Sequence, residues 1–402
     1  MTFLELKNEI LDQNLCTSCG ACVAACSPRL LEISVDAIVP HLGAGVTAID
    51  CGSCNECLSV CPGKYTDVAA SETILFGRRR TESERWTGVM GQTYLAAATD
   101  ETIRGAASAG GAVTSLLASS LHSGLVDGCL VIGRDEQRPW VPVPRIVTSD
   151  AELLETAQAS YCITPNLQLL RDTTLERIAV VGLACQIQAI QKWRRSDPDG
   201  PAAKVALTIE LACSSNTLRT GTEHLIQDQL RLPLTDVTRM RYRHGDYPGA
   251  FTAWDGGGET HSLPFHKLVL AFREHKTFRC QSCPDWWSGL ADISVADGDA
   301  NIFRTSKATA EGEAAPEKLS LLVTRTQSGA TAVARAVDRG DLHLTPSEFV
   351  PAESLGLQRK VNRYASYARQ FPGAVPHAPL PGAEVDNPKD DNDVISELSR
   401  TS

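Results

Sequence analysis

Residues 177–195, RIAVVGLACQIQAIQKWRR, place a short apolar run directly before apolar residues at helical spacing. The run fits a buried strand, Gly182 to Cys185 a turn, and the remainder an amphipathic helix. Residues 204–230, KVALTIELACSSNTLRTGTEHLIQDQL, repeat the arrangement: a strand, then Cys213, then a helix. Two successive strand–helix units predict a mostly parallel α/β sheet, in which sites gather at the carboxyl ends of strands. Cys185 and Cys213 both fall there.

Upstream, SAGG at 108–111 opens an apolar-periodic helix from about Gly111 to His122, followed by a strand near Gly128 to Gly133. A loop entering a helix exposes backbone N–H groups and the positive end of the helix dipole, a seat for a phosphate. Alone the loop decides nothing, because it lacks the G-x-G-x-x-G spacing of a dinucleotide fingerprint.

The N-terminal region carries eight of the fourteen cysteines in two copies of one spacing. In LCTSCGACVAACSP (15–28) and DCGSCNECLSVCPG (50–63) the spacing is C-x2-C-x2-C-x3-C, the bacterial ferredoxin run for two [4Fe–4S] clusters. Three thiolates reach adjacent corners of one cubane from a tight loop, and a short helix carries the fourth to the other cluster. Cys16, Cys19, Cys22 and Cys61 are therefore expected to hold one cluster, and Cys51, Cys54, Cys57 and Cys26 the other. Zinc needs neither the third cysteine nor the crosswise fourth.

A chain of 402 residues, 43% hydrophobic and 21% charged, can bury a substantial core and suggests two or three domains. Its net charge of −10 argues against nucleic acid as a partner, since phosphate contacts need a concentrated basic face. The one strong basic run, GRRR at 77–80, reads as a solvated linker. No signal peptide and no apolar run of membrane-spanning length is evident, so the expected location is cytoplasmic, where paired cysteines more often bind metal than each other.

Farther on, FREHKTFRCQSCPDWWSGLADISVADGD (272–299) supplies Cys280 and Cys283 in a polar, loop-like context. With Cys185 and Cys213 they number four, enough for a third [4Fe–4S] cluster; a zinc site on the same residues or a reactive thiol at Cys185 are the competing readings. Lys276 and Arg279 either raise a cluster's potential or are surface charges. Cys129 and Cys162 read as buried small hydrophobes. Arg241, Arg243 and His244 in RYRHGDYPG can hold an anionic group, or form a solvated turn closed by Pro248 and Gly249.

SAGGAVTSLLASSLHSGLVDG, GLACQIQAIQK, ELACSSNT, RYRHGDYPG and CQSCPDWWSGLADISVAD, in this order over about 92–350, resemble the beta subunit of coenzyme F420-reducing hydrogenases and dehydrogenases. The resemblance implies FAD on the SAGG loop, with Ser108, Gly110, Gly111 and Thr114 as contacts, and a hydride carrier, coenzyme F420, as substrate; the anionic group that Arg241 and Arg243 can hold is then the coenzyme's phosphate or carboxylates. The expected fold is α/β, a mostly parallel FAD-binding core preceded by a small α+β bacterial-type ferredoxin domain. The domain map runs 1–67 ferredoxin-like, 68–91 linker, 92–370 beta-subunit-like, and 371–402 a disordered, acidic, Pro-rich tail. A fused ferredoxin segment looks most like the input subunit of F420H2 dehydrogenase complexes, so an electron-transfer protein or larger redox complex is the expected partner. The implied function is an oxidoreductase passing electrons between F420, bound at FAD, and the clusters. The alternatives are a ferredoxin-dependent reductase of an organic substrate, as in chlorophyll-precursor reductases, and a flavin-free electron-transfer subunit. Ala184, Ala212, Ala296 and Asp299 depart from the family pattern around the presumed cofactor face, which leaves substrate identity open.

Overall fold

The structure, a computed structural model, describes residues 3–380, 385, 387–389 and 394. Near the N-terminus β1 (Leu31–Glu32) and β2 (His41–Leu42) form a two-stranded ribbon. The main body follows with β3 (Thr93–Ala98), β4 (Gly128–Arg134), β5 (Pro142–Val147), β6 (Ile178–Leu183) and β7 (Val205–Leu211). An antiparallel meander comes next, β8 (Val237–His244), β9 (Ala250–Asp255) and β10 (Thr260–Pro264). Last are β11 (Ile293–Asp297), β12 (Ser320–Thr324) and β13 (Leu342–Pro346).

The large sheet has eight strands in the order β13-β3-β12-β11-β7-β6-β4-β5. The predicted parallel centre is β11-β7-β6-β4, and antiparallel strands extend it on both sides. The central strands are apolar on both faces because helices cover both. β5 is antiparallel because residues 135–141, which link it to β4, are shorter than the dozen or so a parallel crossover needs.

Helices Ala112–His122 and Gln327–Asp338 pack on one face, where Leu116, Leu117 and Ala336 meet Leu207 and Ile293. Helix Ala184–Ser196 packs on the other, and it is shared: Ile187, Ile190 and Trp193 join Leu6, Leu15, Val23 and Leu31 of the cysteine-rich segment in one core. The expected turn at Gly182–Cys185 is absent. Leu183 ends the strand, the helix starts directly after it at Ala184, and the Gln186 side chain closes the junction by accepting from the Leu183 N–H at 2.8 Å.

Two segments are more ordered than their composition suggests. Residues 68–76 of the expected linker form a helix capped by Asp67, whose carboxylate accepts from the Ala70 N–H. Arg80, expected to be solvated, is buried: it donates to Glu72 at 2.5 Å, and both side chains are 1% exposed. It also reaches the carbonyls of Arg85 and Ser288. A periodicity reading misses this because a buried ion pair and scattered apolar contacts, not a periodic apolar face, hold the strap. The start of the expected disordered tail is likewise held, since the His377 N–H donates to the Lys64 carbonyl, Tyr364 donates to the Pro376 carbonyl, and Val375 is buried. Most of 381–402 lies outside the described residues.

Removing one partner of a buried pair strands the other charge. Glu72→Ala is expected to cost about 3–5 kcal/mol in urea unfolding, whereas Arg78→Ala, which breaks a partly exposed pair with Glu84, should cost about 1 kcal/mol or less.

Candidate cofactor site

The N-terminal cysteines assemble crosswise. Burial, and after it the neighbouring Cys19 and Cys16, push the Cys61 thiol up to about 12. Burial with Cys26, Cys54 and Cys51 does the same to Cys57. The fourth cysteine of each run thus stands close to cysteines of the other. Each half places its third cysteine on a one-turn helix, Ala21–Ala24 or Glu56–Ser59. Backbone amides of Ser18, Leu30 and Gly63 donate to the sulfurs of Cys16, Cys26 and Cys61 at 3.3, 3.3 and 3.4 Å.

Four further cysteines converge from three elements. Cys185 lies in the first turn of helix Ala184–Ser196, Cys213 lies two residues past β7, and Cys280 and Cys283 lie at and just beyond the one-turn helix Phe278–Gln281. The CxxC pair is not in an open loop: Arg279 is 2% exposed and Thr277 caps the helix by accepting from the Cys280 N–H. Cys185 is raised well above the usual thiol range by burial, opposed by Arg279 and reinforced by Cys19, Cys283 and Cys213. Cys213 is pushed up to about 11 by burial, with Lys360 opposing and Cys280 and Cys283 reinforcing. Cys129 and Cys162 sit apart in the core at 0% and 2% exposure.

The donor set suits cubanes better than zinc. Among the described residues no three cysteine sulfurs lie within 4.8 Å of one another. Around a tetrahedral zinc with Zn–S near 2.3 Å, neighbouring sulfurs stand about 3.8 Å apart. Backbone amides already aimed at three of the sulfurs fit thiolates that ligate a cluster.

A cavity of about 570 Å³ opens at the carboxyl ends of β6, β7 and β11, within the range of ligand sites. One end is the SAGG loop: Gly111 takes φ +78° and starts helix Ala112–His122, whose first turn has no side-chain cap. Ser108, Gly111 and Thr114 line this end. Gly110 does not; it lies against the sheet, where a Cβ would stand 2.2 Å from the Ala96 carbonyl oxygen. Arg241 also lies outside, donating to the Ala106 carbonyl at 2.7 Å at the end of helix Glu101–Ala106. Arg243 lines the cavity. Asp297 and the Pro248 carbonyl hold it at 2.7 Å each, and its Nη2 has no partner among the described residues. Gln158 Oε1 and Ser160 Oγ, on two more lining residues, are likewise buried without partners among the described residues. At the other end Cys213 shares the wall with Trp286, which stacks on Phe349 with centroids 5.4 Å apart. Unmet buried donors and acceptors beside an uncapped helix start fit a large polar cofactor with an anionic group, as FAD would present.

The sequence profiles described as coenzyme F420 hydrogenase/dehydrogenase beta subunit, N-terminal and C-terminal, match residues 93–171 and 175–348. The coenzyme F420 hydrogenase subunit beta of Methanosarcina barkeri is 30% identical over 54% of this chain and 78% of its own length. This chain belongs to that beta-subunit family. An F420H2 dehydrogenase subunit of Methanosarcina mazei is 26% identical, covering 73% of this chain and 80% of that one. A chain in the solved xenon-derivatised F420-reducing [NiFe] hydrogenase complex from Methanosarcina barkeri shares the fold, with TM-score 0.56 and 24% identity, covering 72% of this chain and 97% of that one.

Three of the four departures from the family pattern, Ala212, Ala296 and Asp299, line the cavity. The sequence reading missed helix Leu355–Gln370, which brings Lys360 and Arg363 onto the Ser214 carbonyl beside Cys213. Ser354 as N-cap and buried Leu357 and Val361 at helical spacing were the available signal.

In the reconstituted protein, Cys61→Ser is expected to alter the same electron paramagnetic resonance (EPR) signal as Cys16→Ser, and Cys26→Ser the same one as Cys51→Ser. Pairing each signal with the cysteines of its own run would refute the crosswise arrangement.

Proposed function

We propose that this chain is an F420-linked oxidoreductase component that holds FAD in the cavity and [4Fe–4S] clusters on the three cysteine sets. The observation that carries the reading is the cavity itself, with an uncapped helix start at one end and Cys213 in its wall at the other. When bound, FAD supplies the chemistry that joins a two-electron hydride carrier to one-electron clusters.

The chain's own residues bind, orient and exclude water. First-turn amides of helix Ala112–His122 receive the pyrophosphate, where the helix dipole favours negative charge. Arg243, fixed by Asp297 and Pro248, presents its remaining Nη2 to an acceptor inside the cavity. Trp286 and Phe349 form an apolar wall next to Cys213 and keep water from that end. The relatives, a hydrogenase beta subunit and a dehydrogenase subunit, support a place in a larger redox complex. Among the described residues no helix is long and apolar enough to cross a membrane.

Anaerobic purification should give about one FAD per chain after acid release, and about twelve irons with three clusters against about eight with two. Cys280→Ser should lower the higher count to the lower one. F420H2 should bleach the flavin; bleaching by reduced ferredoxin but not by F420H2 would move the assignment to a ferredoxin-dependent reductase, and absence of flavin would leave an electron-transfer subunit. Arg243→Gln should weaken flavin retention about tenfold or more, the worth of a hydrogen bond to a charged group, whereas Arg241→Ala should leave it unchanged.

A further inference from the structure

We propose that Arg279 is a counter-cation shared by two clusters, the one on Cys16, Cys19, Cys22 and Cys61 and the one on Cys185, Cys213, Cys280 and Cys283, and that it raises the reduction potentials of both. The proposal rests on the cluster assignment above.

Arg279 joins the two sets through short, specific contacts. Its Nε donates to the Gly63 carbonyl at 2.9 Å, and its Nη2 lies 3.5 Å from the Pro62 carbonyl. Pro62 directly follows Cys61, and the Gly63 amide in turn donates to the Cys61 sulfur at 3.4 Å. On the other side Arg279 is the peptide neighbour of Cys280, on the same one-turn helix. Its charge reaches Cys283, Asp285 and Cys185 there, and Cys16 and Cys19 on the N-terminal side.

A guanidinium that is 2% exposed cannot lose its charge and is poorly screened by salt. The Asp285 carboxylate faces it, and Asp285 also faces Lys360 and Arg80. The protein therefore supplies a local excess of positive charge, which an anionic thiolate-ligated cluster balances. Adding an electron makes a cluster more negative, so a nearby cation favours the reduced form and raises the potential. Lys360 provides a control. It donates to the Ser214 carbonyl beside Cys213 and faces Cys213 and Asp285, on the inner set alone.

The test is an EPR-monitored redox titration of the anaerobic holoprotein, comparing wild type with Arg279→Gln, Arg279→Lys and Lys360→Met. Arg279→Gln should lower both potentials. Arg279→Lys, which keeps the charge but cannot reach both carbonyls, should lower both by less. Lys360→Met should lower only the inner one. A shift confined to one cluster in Arg279→Lys overturns the proposal even if Arg279→Gln fails to assemble, and so does a Lys360→Met shift of both alike. A wild type lacking one of the two signals would remove the cluster assignment itself, and this proposal with it.

Discussion

The buried carboxylate of Glu210 fixes the loop on which the inner cysteine set depends. It sits near the end of β7 at 0% exposure and accepts from the Ser288 and Gly289 amides and the Ser294 hydroxyl. Burial raises its pKa, and Arg325 opposes that rise. Arg325 is itself brought down to about 10 by burial, and it donates to Ser294 and to the carbonyls of Val89 and Thr87. Removing either charge from water is costly, and the cost is met only where amides and hydroxyls surround both. The consequence is local rigidity. These bonds hold residues 288 and 289 and, through them, the loop that carries Trp286 in the cavity wall.

The strap before the main sheet belongs to the same construction. Arg80 reaches over to the Ser288 carbonyl, and Gln191 from the shared helix donates to the Leu290 carbonyl. Where strap and loop cross, Gly88 and Gly289 both adopt positive φ, and a Cβ on either would stand 2.4 Å from the other's Cα. Only glycine permits so close a crossing at both positions. A segment read as a linker is thus part of what holds the site, because its function is backbone proximity, which leaves no hydrophobic period to read.

Sequence patterns that encode spacing were legible. The strand ends carrying Cys185 and Cys213 and the helix after SAGG follow from local periodicity, and each appears where that periodicity puts it. Contacts between distant segments were not. Gly110 looked like part of a phosphate loop, yet its missing Cβ serves the close approach to Ala96 and Ser320. Arg241 and Arg243 stand two residues apart on one strand, the spacing of a shared face, but a register shift between Arg241 and His244 separates their surroundings. The sequence leaves Arg279 open between a charge that raises a cluster's potential and a surface charge, because nothing local reveals that the carbonyls of Pro62 and Gly63 accept from it.

The cysteine sets also have an order that follows from packing. Cys213 lies in the cavity wall, its partner Cys185 feels Cys19 of the next set, and Cys22 of that set feels Cys57 of the last. This sequence from the cavity into the N-terminal segment exists because that segment shares one core with helix Ala184–Ser196. Lys192 on that helix reinforces the joint by donating to the Cys61 carbonyl at 2.6 Å and the Tyr65 carbonyl at 2.9 Å. A tethered ferredoxin-like module would leave the gap between the first and inner sets variable. Fused through apolar packing and through cations that grip its backbone, the segment instead holds that gap fixed.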